Sequence, residues 1–296
     1  TLSNRSFDQI IIENRAEYVL PIKKITKAQI LLHIHNDYLN SETDNGKHIM
    51  HNCDKVVTVS EYIKKRVLTL DSQYTNKVHV LKNCTDITLF DKKKHADFRT
   101  SYRHNANISK DQIVVLFSGR IHPNKGIKEL ISAFKNIRNT ECILLVVGSS
   151  WYGSNKKTEF EKEINSLSRD IQQRIIFTGF VPFSDMPKII SVADIAVVPS
   201  IWEEPAGLVV IEAMSSGLPT IVTDSGGIPE YINEECVIML KRDEKLIDNL
   251  TISIEELIFD KSKRESLGKA ARKHALRYNV QQYYQDYLEL IENNAE

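Results

Sequence analysis

Residues 199–230 read PSIWEEPAGLVVIEAMSSGLPTIVTDSGGIPE. The apolar run DIAVVPS (194–200) enters this stretch as a strand that ends at Pro199-Ser200. A loop carrying Glu203 and Glu204 follows, a helix begins near Gly207, and PTIVTD (219–224) supplies the next strand. That succession is a βαβ unit, and it is not isolated. Working outward, IVVLFS (113–118), CILLVVG (142–148), RIIFTG (174–179) and CVIML (236–240) are further short apolar runs. Helix-like segments such as GIKELISAFKNI, TEFEKEINSLS and SDMPKIISVA lie between them. Strands apolar on both faces and separated by helices form a parallel sheet, so a Rossmann-like layer is expected.

Glu212 lies in the apolar stretch Leu208-Val209-Val210-Ile211 before it and Ala213-Met214 after it. A carboxylate placed there is costly unless something hydrogen-bonds to it. A salt bridge to a neighbouring helix is one reading. The other is an acceptor for ligand hydroxyls, since open α/β sheets bind ligands beyond the carboxyl ends of their strands. The same helix start offers backbone N–H groups around Ala206, Gly207 and Leu208 to an anionic phosphate. A second strand-to-helix turn, SGRIHPNKGIKEL (118–130), carries Arg120 and Lys125 in its loop. Two cations at such a turn suit a diphosphate: Arg offers a bidentate fork and Lys a point charge.

The first part of the chain repeats the theme more weakly. FDQIIIEN, AQILLHIHN, KVVTVS and VHVLKN read as strands, with EYVLPIKKI and EYIKKRVLTL as helices between them. Residues 88–111 are polar and read as a linker. The expected division is therefore 1–98, 99–277 and a last helix, 278–296, that crosses back to the first domain. In that helix Val280, Tyr283, Tyr284, Tyr287, Leu288 and Ile291 recur at helical spacing and read as a packing stripe.

Lys plus Arg and Asp plus Glu number 39 each, which argues against a dedicated nucleic-acid binder. Residues 1–98 nevertheless carry a net +3, with clusters at Lys23-Lys24, Lys64-Lys65-Arg66 and Lys92-Lys93-Lys94. These are solvated faces, with a weak association with a membrane surface as the sharper reading. No apolar run approaches the ~18 residues of a transmembrane helix. The four scattered cysteines form no C-x-x-C pair and fit reduced thiols of a cytoplasmic protein. His33-x-His35 places two imidazoles on one strand face, and His48-x-x-His51 two on a helical face. No acidic or cysteine ligand is tightly grouped with either pair, so no metal site is expected.

Taken jointly, Gly119-Arg120…Lys125-Gly126, Gly179-Phe180-Val181-Pro182, Ala193-Asp194…Pro199-Ser200 and Glu204-x7-Glu212-Ala213-Met214…Gly217-x-Pro219 resemble the retaining GT-B glycosyltransferases of family four. The match runs through nearly all of 7–290. It implies an α/β GT-B fold, two Rossmann-like domains facing a cleft. By the same resemblance, Glu204 contacts the donor sugar, Glu212 the ribose, Arg120 and Lys125 the diphosphate, and Phe180-Val181 the base. His35 matches a family histidine at the cleft and, with Glu204, is the expected catalytic pair. The family's first domain normally opens with a strand and a glycine-rich loop. Nothing before Ser6 supplies either, so that domain is expected to be incomplete.

The implied reaction moves a sugar from a nucleoside-diphosphate sugar, a UDP-sugar by preference, to a hydroxyl of a saccharide or lipid-linked acceptor. No cofactor or metal is implied, since the cations stand in for one. The setting would be cell-surface polysaccharide or glycoconjugate synthesis, in the cytoplasm or peripheral at the inner membrane face. Two alternatives share the fold: a nucleotide-sugar epimerase, and a non-catalytic nucleotide-sugar-binding module.

Overall fold

The computed structural model describes residues 6–139, 141–150 and 158–292. It holds two α/β units. The chain up to Asn83, joined by the chain from Gln281 onward, forms the first; Cys84–Val280 forms the second.

The first unit runs β1 (Gln9–Glu13), α1 (Val19–Lys23), β2 (Gln29–Ile34), α2 (Gly46–Asn52), β3 (Lys55–Thr58), α3 (Glu61–Leu68) and β4 (Val78–Val80). Its strands lie in the order β1-β2-β3-β4, all parallel. The inner strands explain the continuous apolar runs, for Ile30, Leu31, Leu32, Val56 and Val57 are fully buried. On the edge strand β1, by contrast, Ile11 stays exposed. Helix α3 starts where Ser60 can cap it, its Oγ accepting from the Ile63 N–H at 3.1 Å.

The second unit runs α4 (Ala96–Asn105), β5 (Val114–Ser118), α5 (Ile127–Asn136), β6 (Ile143–Val147), α6 (Glu159–Leu167), β7 (Ile175–Gly179), α7 (Met186–Ser191), β8 (Ile195–Val198), α8 (Leu208–Ser215), β9 (Thr220–Thr223), β10 (Val237–Leu240), α9 (Leu246–Phe259) and α10 (Lys261–Ala275). All six strands expected from the sequence enter one parallel sheet of order β10-β9-β8-β5-β6-β7. The strand order reverses between β5 and β8. A crevice opens at such a switch point because the loops leaving the two strands turn to opposite faces of the sheet.

The last helix, α11 (Val280–Glu292), packs in the first unit. Tyr283, Tyr287, Leu290 and Ile291 lie on Leu31, Val57 and Leu81 of its sheet. Tyr284, part of the expected stripe, is instead exposed. The buried Lys55 donates its Nζ to the Leu290 carbonyl near the end of this helix, and burial lowers the pKa of the ammonium.

The stretch 88–111, expected as a linker, folds onto the second unit. Three of its cations point inward, while Lys93, Lys94 and Lys110 are exposed. Arg99 and Arg103 reach the two oxygens of Asp194 at 2.6 and 3.1 Å, and Lys92 donates to the Ala193 carbonyl at 2.6 Å. Burial alone would raise the Asp194 carboxyl, but the three cations and the Val114 N–H hold it below the usual range. Polar composition reads as linker only when the polar groups face water, and these face a buried carboxylate. All four cysteines are free, and Cys53, Cys142 and Cys236 are buried. Among the described residues no helix is long and apolar enough to cross a membrane.

At the switch point the backbone turns that follow β5 and β8 touch. Gly126 sits at φ +69°, and a Cβ there would lie 1.8 Å from the Pro199 carbonyl oxygen. The Ile201 N–H donates to the Asn124 carbonyl at 2.9 Å beside it. Gly126→Ala must therefore strain the backbone and part the two loops. The expected cost is about 2–4 kcal/mol, read as a lower denaturant midpoint at unchanged slope. An unaltered midpoint would show that the loops separate freely.

Candidate functional site

The two loops joined at Gly126 and Pro199 carry the charges that the sequence singles out. After β5, a tight turn over Pro123–Lys125 is capped by His122, whose Nδ1 accepts from the Asn124 N–H. It aims Lys125 across to the loop after β8. Lys125 Nζ lies 2.7 and 2.9 Å from the two carboxylate oxygens of Glu204. Ser200 donates its hydroxyl to Glu204 Oε1 at 2.5 Å. The ammonium also sits 5.4 Å from the centre of the Trp202 ring. Glu204 is buried, so this pair is ordered rather than a loose surface contact. Arg120, in the same turn as Lys125, is exposed and has no side-chain partner among the described residues. One cation is thus held and the other left open.

Glu212 lies one turn into α8. It is 5% exposed and carries no side-chain hydrogen bond among the described residues. Burial pushes its carboxyl up to about 7. Of the two readings open in the sequence, the salt bridge to a neighbouring helix is not formed. Gly207 caps α8 without a side-chain acceptor, so the N–H groups of the first turn have no partner from that residue.

Two adjoining cavities, of about 150 and 170 Å³, meet at Ser118 and Gly119. One is lined by Arg120, Gly148, Phe180, Val181 and Met186. The other is lined by Lys125, Ser200, Glu204, Ala206, Gly207 and Leu208. The first is walled by Phe180, Val181 and Met186 with Arg120 in its lining, and the second brings Lys125 and Glu204 together at the start of α8. A larger cavity, about 970 Å³, opens beside Phe7, Gln9, Lys27 and Gln29 at the amino ends of β1 and β2, the end that open α/β sheets do not use.

His35 lies in the first unit, just past the carboxyl end of β2. Its backbone N–H donates to Asn14 Oδ1 at 3.0 Å. Its Nε2 lies 2.8 Å from Glu13 Oε2, and His33 Nδ1 lies 3.1 Å from the same oxygen. Here the sequence reading needs correction. Along the chain the nearest acid is Asp37, which pairs with Arg66 instead, and it is the parallel register of β1 and β2 that sets Glu13 opposite His33. Both imidazoles meet the Glu13 carboxylate, while the buried His33 Nε2 has no partner among the described residues. Burial, with His35 alongside, lowers the His33 pKa and leaves that imidazole a neutral donor to the carboxylate. His48 and His51 do not join it.

Two site residues carry no signal in the sequence. Trp202 lies two residues before Glu204 without any motif that marks it. The Trp202 indole nitrogen is buried with no hydrogen-bond partner, among the described residues, beside the held lysine. Arg242 lies nearly forty residues beyond the loop that it touches.

Two Rossmann-like units, one with a switch-point crevice of this kind, are the parts of a GT-B fold. Residues 98–274 match the Glycosyl transferases group 1 family, and the chain belongs to it. It is a retaining glycosyltransferase that moves a sugar from a nucleoside-diphosphate sugar. The protein YtcC of Bacillus subtilis (strain 168) is 29% identical over 278 residues, spanning 91% of this chain and 68% of its own length. The lipopolysaccharide 1,2-N-acetylglucosaminetransferase of Salmonella typhimurium is 26% identical, spanning 96% of this chain and 72% of its own. Among solved structures, Anabaena Alr3699/HepE in complex with UDP and glucose superimposes with a TM-score of 0.84 at 21% identity, covering 97% of this chain and 78% of that one.

A Glu212 carboxyl that accepts ribose hydroxyls would make binding depend on pH. Ribose hydroxyls would donate to the ionised form, whereas the empty site favours the protonated one. Affinity for a nucleotide sugar should therefore rise up to about tenfold per pH unit between pH 5.5 and 7, then level off. UDP-glucose is the suitable probe, because its diphosphate does not titrate in that range. Glu212→Gln should flatten the profile. Calorimetry across pH 5.5–8.5 measures both, and a flat profile for the unaltered protein would remove Glu212 from the ribose site.

Proposed function

We propose that the chain transfers the sugar of a UDP-sugar to a hydroxyl of a saccharide or lipid-linked acceptor in building a cell-surface glycan. The observation that carries this reading is the Lys125–Glu204 pair beside the open Arg120. In this reading Arg120, Lys125 and the first turn of α8 receive the diphosphate. Glu204 then contacts sugar hydroxyls, Glu212 the ribose, and Phe180 with Val181 the base. As the bond from the sugar C1 to the phosphate oxygen breaks, charge develops on the departing diphosphate. The two cations and the helix N–H groups would stabilise it in a preorganised setting. The acceptor oxygen attacks C1 from the same face, and its proton passes to the departing phosphate. No protein nucleophile is needed.

Three observations support the acceptor class. A cavity of about 470 Å³ in the first unit is lined by Asn14, Arg15, Glu17, Tyr38, Thr43 and Asp44, close in sequence to His35. Hydrogen-bonding side chains around the exposed ring of Tyr38 suit a saccharide. The Salmonella relative is named for action on lipopolysaccharide. The basic clusters of the first unit suit an anionic membrane surface that would present a lipid-linked acceptor.

The test is a panel of nucleotide sugars offered with saccharide and lipid-linked acceptors, with mass spectrometry of the products. A mass gain on the acceptor only with UDP-sugars is expected; isomerisation of the donor sugar without acceptor would mark an epimerase.

Two sets of variants separate the roles. Arg120→Ala and Lys125→Ala should each weaken UDP binding roughly 10- to 100-fold, the equivalent of one charge-assisted contact, and leave uridine binding unchanged. Equal losses for both ligands would remove the cations from the diphosphate site. Glu204→Gln releases the Lys125 ammonium, so UDP affinity should hold or rise while turnover of the donor falls. Weaker UDP binding in this variant would place Glu204 elsewhere.

A further inference from the structure

Glu203 and Glu204 are neighbours in sequence that turn opposite ways. Glu204 points inward to Lys125, while Glu203 points outward and meets Arg242. Glu203 Oε1 lies 2.5 Å from Arg242 Nη2, and Glu203 Oε2 accepts from the Gly226 N–H at 2.6 Å. The same guanidinium donates through Nε to the Asp224 carbonyl at 2.6 Å. One side chain just past the end of β10 therefore ties together the loop after β8 and the loop after β9.

The backbone held between those ties is that of Glu204. Its carbonyl accepts from the Gly227 N–H at 2.7 Å, and its own N–H donates to Ser225 Oγ at 3.2 Å. Ser225 in turn donates to the Trp202 carbonyl. The fit is close enough that a Cβ on Gly226 would lie 2.2 Å from the Glu204 oxygen. Gly226 also sits at φ +51°, so both its space and its conformation call for glycine.

An exposed ion pair alone contributes little to stability, on the order of 0–1 kcal/mol. With side chains 25% and 46% exposed, Arg242 and Glu203 would pass for one. What sets this pair apart is that each partner spends its second arm on the backbone of the loop that grips Glu204. It also neutralises a carboxylate one residue away from the site of an anionic ligand. We propose that Arg242 and Glu203 are positioning residues for the donor site, closing the 224–227 loop around Glu204 so that its carboxylate stays fixed against Lys125. This inference rests on the reading of Glu204 as the donor-sugar contact.

The test compares Arg242→Gln, Arg242→Lys, Glu204→Gln and the Arg242→Gln/Glu204→Gln double variant in the full chain. UDP and UDP-glucose binding are measured by calorimetry, and release of glucose from UDP-glucose without acceptor by product assay. Arg242→Gln is expected to bind UDP within twofold of the unaltered protein and to lose about tenfold or more in kcat, with KM changed less than threefold. Arg242→Lys should recover part of that loss, because it restores the charge but not both hydrogen bonds. The double variant should be no slower than Glu204→Gln alone, because both changes act through one carboxylate. Full turnover in Arg242→Gln beside an impaired Glu204→Gln would overturn the proposal and leave the Glu204 reading intact. Additive losses in the double variant, or a parallel loss of UDP binding in Arg242→Gln, would also overturn it, since they mark a structural role. Unimpaired Glu204→Gln would instead remove the reading on which the proposal rests.

Discussion

The contact of Gly126 with the Pro199 carbonyl governs the second unit. β5 and β8 are neighbours in the sheet although most of one hundred residues separate them in the chain. Their outgoing loops would diverge if any side chain stood at residue 126. Because none does, the two turns share a backbone hydrogen bond, and each carries its charged residue toward the other. Lysine has much rotamer freedom to lose on ordering, about 2 kcal/mol. Here the loss occurs on folding, when Lys125 meets Glu204, and not when a ligand arrives. Site geometry is inherited from the sheet through the main chain, which is the most rigid route available.

The sheet of the second unit was legible because its strands are buried on both faces, which leaves continuous apolar runs such as ILLVV with helices between them. The first sheet was legible for the same reason at β2 and β3. Helix α2 was harder to read, since GKHIMHN has neither a capping side chain nor an apolar stripe longer than two residues. The charged site residues showed through wherever the expected environment contradicted the residue type, as with Glu212 in an apolar helix. What stayed hidden depends on strand register and loop contact. Glu13 joins His33 and His35 only because β1 pairs in parallel with β2. Arg242 reaches Glu203 only because β10 lies beside β9, which lies beside β8. Local sequence contains neither fact, and the polar run from 88 to 111 misleads for a related reason.

Two buried carboxylates in the same unit show how such groups can be told apart. Asp194 is surrounded by Lys92, Arg99 and Arg103 and by a backbone N–H, and it stays ionised. Glu212 is more deeply buried and has no such company, so its carboxyl holds its proton to about pH 7. The first is satisfied by the fold and binds the 88–111 segment to it. The second is left unsatisfied by the fold at the carboxyl end of a parallel sheet. A carboxyl in that state keeps its capacity to accept hydrogen bonds, which Asp194 has already spent on the fold.

The placement of α11 bears on the order in which the protein is made. Leu31, Val57 and Leu81 are synthesised early, but the side chains that cover them, Tyr283 to Ile291, come some two hundred residues later. On a ribosome adding about 5–20 residues per second, that interval lasts on the order of ten seconds or more. Throughout it the second unit is emerging and has every strand of its own sheet in sequence. Leu31, Val57 and Leu81 meanwhile lack the cover that α11 gives them, and Lys55 has no helix carbonyl to meet. The nascent chain thus passes through a stage in which that part of the first sheet waits for its helix. That stage is where a chaperone would have most to shield, and where a slowed ribosome would expose the protein longest to aggregation.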